Sequence, residues 1–302
     1  MRSTKMKKLY GVTTAMITPF DDNDKVDLQA MRNLVDFLIE KEVNCLYPLG
    51  TTGEMFRLTI EERKKIAQAV VEQANGRVPV FIHVGAMLQS ETLELAKHAY
   101  NVGADGIGVV TPSYFSVNNR EMEEYYTTVA NSVPNDFPIY LYNIPQLSGN
   151  DLKPSVVKKI IERCPNIIGI KYSYPDFLIT NDYLQLNDGK FSVLHGTDRL
   201  FIAALAMGCD GTVSGISCVF PEPFVALYKA FQEGDIEACR RYQKIANQYC
   251  ETLKCGANMA YFKEALKIRG INGGKMRKPQ LDLSYEEVLK LKQEIEKIEK
   301  CI

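Results

Sequence analysis

Lys171 closes a short apolar run, Asn166-Ile167-Ile168-Gly169-Ile170, that reads as a buried strand. An amine at the mouth of such a strand is poorly solvated, and desolvation favours its neutral form. A neutral amine is a nucleophile toward carbonyl carbon, so the chemistry this residue suggests is Schiff-base formation. Imine formation and carbon–carbon cleavage both move protons, and a tyrosine hydroxyl at a dry site can carry them. Tyr142 ends the preceding apolar run and is the candidate shuttle. The turn Gly50-Thr51-Thr52-Gly53-Glu54 offers two hydroxyls and several backbone N–H groups between glycines, a nest suited to a carboxylate. No Gly-Lys-Ser/Thr follows it, so it is not a phosphate P-loop. Taken singly, each has an ordinary explanation: an ion-paired lysine, a core tyrosine with a tethered hydroxyl, a Gly-rich turn. Glu54 reads as a helix-entry charge. His83 and His195 at strand mouths read as structural histidines, and His98 as peripheral. None of the three has a neighbour at ligand spacing, so no metal is expected.

Eight apolar, β-rich runs position these groups: Gly11–Ile17, Val43–Leu49, Val78–Val84, Gly106–Val110, Phe137–Tyr142, Ile167–Lys171, Phe191–His195 and Gly211–Ser214. Helical patterns fill most gaps. Asp27 caps a helix with Met31, Leu34, Val35 and Leu38 on one face. Thr59 and Glu62 form a capping box, and Ser90 opens a helix that stops at Gly103. The Tyr125-Tyr126 pair packs behind the fourth strand. Near-continuous apolar strands alternating with amphipathic helices imply a covered parallel sheet, and eight units imply a closed α/β (β/α)8 TIM barrel. An echo supports the repeated unit: Asn101-Val102-Gly103-Ala104-Asp105-Gly106 resembles Ala206-Met207-Gly208-Cys209-Asp210-Gly211.

After Pro221 the strand signals stop. Phe224, Leu227, Tyr228 and Phe231 share a helix face that ends at Gly234, and helical patterns cover Asp235–Leu253, Asn258–Ile268 and Ser284–Lys300. The expected division is a barrel over 1–230 and a C-terminal all-helical region over 231–302. Arg269–Pro279 reads as a loop whose Lys275, Arg277 and Lys278 form a solvated charge cluster.

The 302 residues are 46% hydrophobic and 24% charged with a formal net charge of −1, so neither a polyanion nor a membrane surface is indicated as partner. No apolar run approaches a membrane span, and the basic Met1–Lys8 leads into no apolar segment of a secretory signal. Eight scattered cysteines without a Cys-x-x-Cys pair suit reduced thiols in a cytoplasm.

The motifs Gly50-Thr51-Thr52-Gly53-Glu54, Tyr142-Asn143-Ile144-Pro145 and Gly169-Ile170-Lys171, in this order, resemble the dihydrodipicolinate synthase/N-acetylneuraminate lyase family. The likeness covers nearly the whole chain. It implies class I aldolase chemistry on pyruvate, with no cofactor beyond the covalent Schiff base on Lys171. Tyr142 would relay protons, and Thr51 and Thr52, beside Gly50, would hold the pyruvate carboxylate. Val213 would line the pyruvate pocket. Tyr114 matches an aromatic that family members lend to a neighbouring subunit, which implies a homo-oligomer, usually a tetramer. Ser173, Gly196 and Asp198 fall where lyases bind the rest of the substrate.

Two departures bear on that second half. Leu147 stands where the synthases typically carry an arginine for aspartate semialdehyde, and leucine offers an anion no donor. Arg199 stands where sialic acid lyases carry a glutamate. Arg199 is therefore a candidate contact for a second acidic group, the alternative being an ion pair facing solvent. The expected activity is cleavage of a 2-keto-3-deoxy sugar acid or sialic-acid-like 2-keto acid to pyruvate and an aldehyde. The alternatives are 4-hydroxy-tetrahydrodipicolinate synthase and a non-catalytic keto-acid-binding barrel.

Overall fold

The computed structural model describes residues 6–300, so the first residues of the basic N-terminus and Cys301 lie outside the described residues. Its eight strands are β1 (Gly11–Ala15), β2 (Cys45–Tyr47), β3 (Phe81–His83), β4 (Gly106–Val110), β5 (Ile139–Asn143), β6 (Ile167–Tyr172), β7 (Ser192–His195) and β8 (Gly211–Ser214). All pairings are parallel, in the order β2-β1-β8-β7-β6-β5-β4-β3, and a parallel bridge between Leu46 and Val80 joins β2 to β3 and closes the barrel. The eight apolar runs are these eight strands, and the architecture is the expected TIM barrel with C-terminal helices.

The helices around the barrel are α1 (Leu28–Glu40), α2 (Ile60–Ala74), α3 (Gln89–Asn101), α4 (Asn119–Asn131), the single turn α5 (Pro145–Ser148), α6 (Pro154–Arg163), α7 (Phe177–Leu184), α8 (Phe201–Met207) and α9 (Glu222–Gln232). The tail adds α10 (Ile236–Thr252), α11 (Met259–Ile268) and α12 (Tyr285–Glu299). Asp27 caps α1 by accepting the Ala30 N–H, and Thr59 with Glu62 closes a reciprocal capping box on α2. α3 begins one residue before Ser90, at Gln89 after Leu88, with no side-chain cap, and Thr92 Oγ1 accepts the Ala86 N–H from the loop before it. The repeated turns behave alike. Gly103 and Gly208 take left-handed φ of 84° and 100°, and the N–H groups of Asp105 and Asp210 each bond a strand carbonyl at 2.9 Å.

Inside the barrel, Ala15, Cys45, Tyr47, Phe81, Tyr140, Leu194 and Val213 form a buried cluster with Leu9 beneath. Bulky side chains fit because glycines face them: a Cβ at Gly106, Gly108 or Gly169 would collide with Phe81, Tyr47 or Tyr140. Tyr140 joins the floor together, accepting from Leu9 N–H at 3.1 Å and donating to Ser192 Oγ at 2.8 Å.

The tail is bound to the barrel by polar as well as apolar contacts. Arg277 is not part of a solvated cluster. It donates to both carboxylate oxygens of Glu62 (2.8 and 3.0 Å), to Asp24 Oδ1 (3.1 Å) and to the Arg57 carbonyl (2.7 Å), with its guanidinium 4.2 Å from the Phe20 ring centroid. The planar fork satisfies several acceptors at once, which a loop facing water would not require. Lys275 keeps the expected solvated charge: its side chain is half exposed, 3.8 Å from Asp22 and 4.0 Å from Asp282, while its backbone N–H bonds Phe20 O at 2.8 Å. Among the described residues, no helix is long and apolar enough to cross a membrane, and the seven described cysteines are unpaired.

Arg277 holds the Glu62 carboxyl below its ordinary value of 4.5. A depressed carboxylate contributes stability above its unfolded pKa and loses it as pH falls through the folded value. Replacing Arg277 by methionine is expected to cost about 2 kcal/mol at pH 7. The difference from the parent should narrow below about pH 4.5, as urea denaturation across that range would reveal.

Candidate active site

A cavity of about 410 Å³ opens at the C-terminal ends of the strands. Lys171 and Tyr142 face each other there because their Cα positions are direct register partners on β6 and β5. Lys171 is 5% exposed. Its Nζ stands 4.1 Å from the Tyr142 ring centroid and 5.4 Å from that of Tyr47, a cradle of two aromatic faces suited to a cation. The Tyr142 hydroxyl lies 3.2 Å from Thr51 Oγ1, so a hydroxyl chain leads from the lysine's neighbour into the Gly-rich turn.

That turn follows β2 and is closed by Glu54 N–H bonding Thr51 O at 3.0 Å, with Thr18 Oγ1 donating to Gly53 O at 2.8 Å. Glu54 stands at the entry of the 3-10 turn Met55–Arg57 as expected, but its charge does not cap that turn. Its backbone is left-handed with φ 60°, its side chain makes no cap bond, and its buried carboxylate pairs with Lys263 at 2.7 Å and Arg57 at 2.8 Å. Opposite Thr52, Gly215 leaves room: a Cβ there would stand 3.0 Å from Thr52 Oγ1. Gly196 does the same for Ser173, whose hydroxyl occupies the space a Cβ would need.

Thr51, Thr52, Tyr142, Lys171, Ser173, Gly196, Asp198, Arg199 and Val213 all line this one cavity. Gly50 starts the turn without lining the cavity. Tyr114 is not brought to it within this chain: its ring is 83% exposed, its φ is 76°, and its N–H bonds Ser148 O at 3.0 Å. Asp198 Oδ2 accepts from Ile216 N–H at 3.4 Å, its Oδ1 is closed off from solvent, and the Ser214 hydroxyl also bears on the carboxyl. Arg199 reaches Glu251 at 3.8 Å with both side chains more than half exposed, an arrangement that holds either one weakly.

The histidines are structural. His83 Nδ1 lies 3.0 Å from Leu49 O while Nε2 accepts the Val110 N–H at 3.2 Å, which assigns the neutral ring with its proton on Nδ1. Burial pushes His83 well below its ordinary pKa, and the ring packs edge-on to Tyr142 at 6.0 Å. His195 is lowered to about 4 by burial and stacks on Phe177. Tyr126 donates to Val109 O at 3.2 Å and supports β4 from behind.

Sequence reasoning missed the tail's share of the wall. Cys250, Cys255, Gly256, Ala257 and Phe262 line the cavity from α10, α11 and the turn between them. The available signal was the break at Lys254–Ala257 between two helical patterns, since connecting segments so often carry binding residues. Among the described residues, no cluster of three His, Cys, Asp or Glu side chains could hold a metal ion.

A buried lysine stands at a barrel-strand mouth beside a tyrosine–threonine hydroxyl pair, and the chain falls in the class of Schiff-base-forming lyases built on a TIM barrel. The chain belongs to the Dihydrodipicolinate synthetase family, whose family model matches residues 8–298. It is 33% identical over 281 residues to a 4-hydroxy-tetrahydrodipicolinate synthase of Oceanobacillus iheyensis, covering 93% of this chain and 94% of that protein. It is 36% identical over 246 residues to the "Probable 2-dehydro-3-deoxy-D-pentonate aldolase YjhH" of Escherichia coli, covering 79% and 80%. Among solved structures it resembles YagE, a prophage protein of this family from E. coli K12 in complex with pyruvate. The TM-score is 0.91, with 31% identity over 97% of this chain and 99% of that one.

Burial raises the Asp198 carboxyl from 3.8 to about 6. Because the folded pKa lies above the unfolded one, the proton favours the fold; that contribution is full below 3.8 and is lost as pH rises through about 6. Asp198→Asn removes this dependence. The variant should gain about 2 kcal/mol relative to the parent between pH 4 and pH 7, measured by urea unfolding at both pH values.

Proposed function

We propose that this protein is a pyruvate-dependent class I aldolase that reversibly cleaves a 2-keto-3-deoxy sugar acid to pyruvate and an aldehyde. The carrying observation is the buried Lys171 amine set over the Tyr142 ring, with the Tyr142 hydroxyl 3.2 Å from Thr51 Oγ1. The Lys171 amine adds to the keto carbon, and loss of water leaves a protonated imine. Tyr142 supplies and removes the protons of that step through Thr51. Thr51 and Thr52 hold the substrate carboxylate, with Val213 against the methyl end. When the bond beyond C3 breaks, its electron pair passes to the iminium and forms an enamine. The substrate hydroxyl loses its proton and departs as the aldehyde carbonyl. Protonation of the enamine and hydrolysis return the lysine and release pyruvate. The covalent adduct is itself the electron sink, so the proposed reaction needs no separate cofactor or metal.

Ser173, Gly196, Asp198 and Arg199 form the acceptor end. The exposed Leu147 in the wall gives an aspartate semialdehyde carboxylate no donor, which favours the sugar-acid reading. The relationship to the pentonate aldolase agrees: removing the three carbons of pyruvate from a five-carbon acid leaves glycolaldehyde. The relationship to synthases keeps condensation with aspartate semialdehyde as the second reading. Arg199, at the cavity mouth, is proposed to contact the second carboxylate of a sugar diacid; a pentonate, whose aldehyde half is glycolaldehyde, carries no such group and would leave Arg199 uninvolved. The exposed Tyr114 and Phe115 fit a subunit contact in a homotetramer, across which Tyr114 reaches a neighbouring site. We assign the enzyme to the cytoplasm.

Incubation with pyruvate, borohydride reduction and intact mass measurement should show one pyruvyl adduct, absent from Lys171→Ala. No adduct, or one that persists in that variant, rejects the proposal. Tyr142→Phe should retain the fold and lower kcat by about 10²–10⁴-fold. A panel of glycolaldehyde, glyceraldehyde, N-acetylmannosamine and aspartate semialdehyde separates the aldolase from the synthase. Arg199→Ala should lower kcat/KM on the true substrate, and an unchanged value would remove Arg199 from the acceptor site.

A further inference from the structure

The helical tail carries an ion pair that the chemistry above does not use. Lys263 Nζ in α11 lies 2.7 Å from Glu54 Oε1, and both side chains are only 1% exposed. Taking two charges out of water is costly, and apolar side chains could fill the same volume without that penalty. What the pair supplies is a defined geometry. Glu54 ends the Thr51–Thr52 turn in a left-handed conformation that a glutamate seldom adopts, and its N–H bonds Thr51 O. Its carboxylate is gripped on one side by Lys263 and on the other by Arg57. Lys263 is itself immobilised, donating to Lys275 O at 2.7 Å with its Nζ 4.3 Å from the Phe20 ring centroid. The preceding residue, Phe262, lines the cavity, and its ring would lie 3.7 Å from a Cβ on Gly215, the glycine beside Thr52. One helix of the tail therefore bears on the Thr51–Thr52 side of the cavity through two consecutive residues, Phe262 in its wall and Lys263 by way of Glu54.

A second helix does the corresponding work elsewhere. Gln243 of α10, 7% exposed, donates to Asp198 O at 3.0 Å and accepts the Ile202 N–H at 2.9 Å. It braces the loop after β7, at the acceptor end.

We infer that Lys263 and Glu54 are positioning residues for the carboxylate of the keto acid: through this pair the C-terminal helices set the Thr51–Thr52 turn. The inference rests on the Schiff-base reading of Lys171. Neither residue touches substrate; both act through the turn.

The test titrates borohydride-trapped adduct against pyruvate concentration in the full-length protein. Glu54→Gln, Lys263→Met and the double variant are compared with Gln243→Leu, which perturbs the tail at the other end. The double variant leaves no unpaired buried charge, and circular dichroism and a thermal melt report whether each protein is folded. Each of the three pair variants is expected to raise the half-saturating pyruvate concentration about 10-fold or more while the limiting trapping rate changes less than about 3-fold. Gln243→Leu should leave half-saturation within about 2-fold of the parent. An unchanged half-saturation in the folded double variant overturns the inference, as does an equal shift in Gln243→Leu. Failure of both Glu54→Gln and the double variant to fold also overturns it, assigning the pair to stability alone. In these cases the adduct in the unaltered protein preserves the Schiff-base reading; its absence there overturns both together.

Discussion

The parallel register between β5 and β6 sets Tyr142 directly beside Lys171, and the rest of the site is arranged around that pairing. A one-residue slip would turn either side chain to the other face of the sheet. The register is held from below by packing. Gly106, Gly108 and Gly169 admit Phe81, Tyr47 and Tyr140 to the interior, and the Tyr140 hydroxyl ties Leu9 to Ser192. Tyr47 rises from this floor to present its ring to the lysine, so the top of the barrel core is also the bottom of the site.

Polarity in the mouth is confined to a few fully placed groups. His83 spends both ring nitrogens on the backbone and stays neutral, so it adds no charge beside Lys171. Asp198 is pushed the other way: burial raises its carboxyl to about 6, against the Ser214 hydroxyl and the Ile216 N–H, which favour the charged form.

The tail is part of the site rather than a cover laid over it. Phe262 and the Cys250–Ala257 segment form one wall, Lys263 holds the Gly-rich turn through Glu54, Gln243 holds the Asp198 loop, and Arg277 anchors the connection to α12. The two cavity ends are thus braced by different tail helices.

By itself the sequence determined the strand count, the order of elements, most helix starts and the lysine, tyrosine and threonines of the cavity. Those features are written in local signals: apolar runs, caps such as Asp27 and Thr59–Glu62, and glycines after helices. Only the tertiary structure decided the roles of charges whose partners lie far along the chain. Glu54 meets Lys263 and Arg277 meets Glu62 across more than 200 residues, and no periodicity encodes such a contact. The start of α3 falls one residue before Ser90, where no side-chain cap marks it. The tail's share of the cavity wall was invisible for the same reason as the ion pair: a helical pattern states which face is apolar, and only the packed molecule states what that face meets.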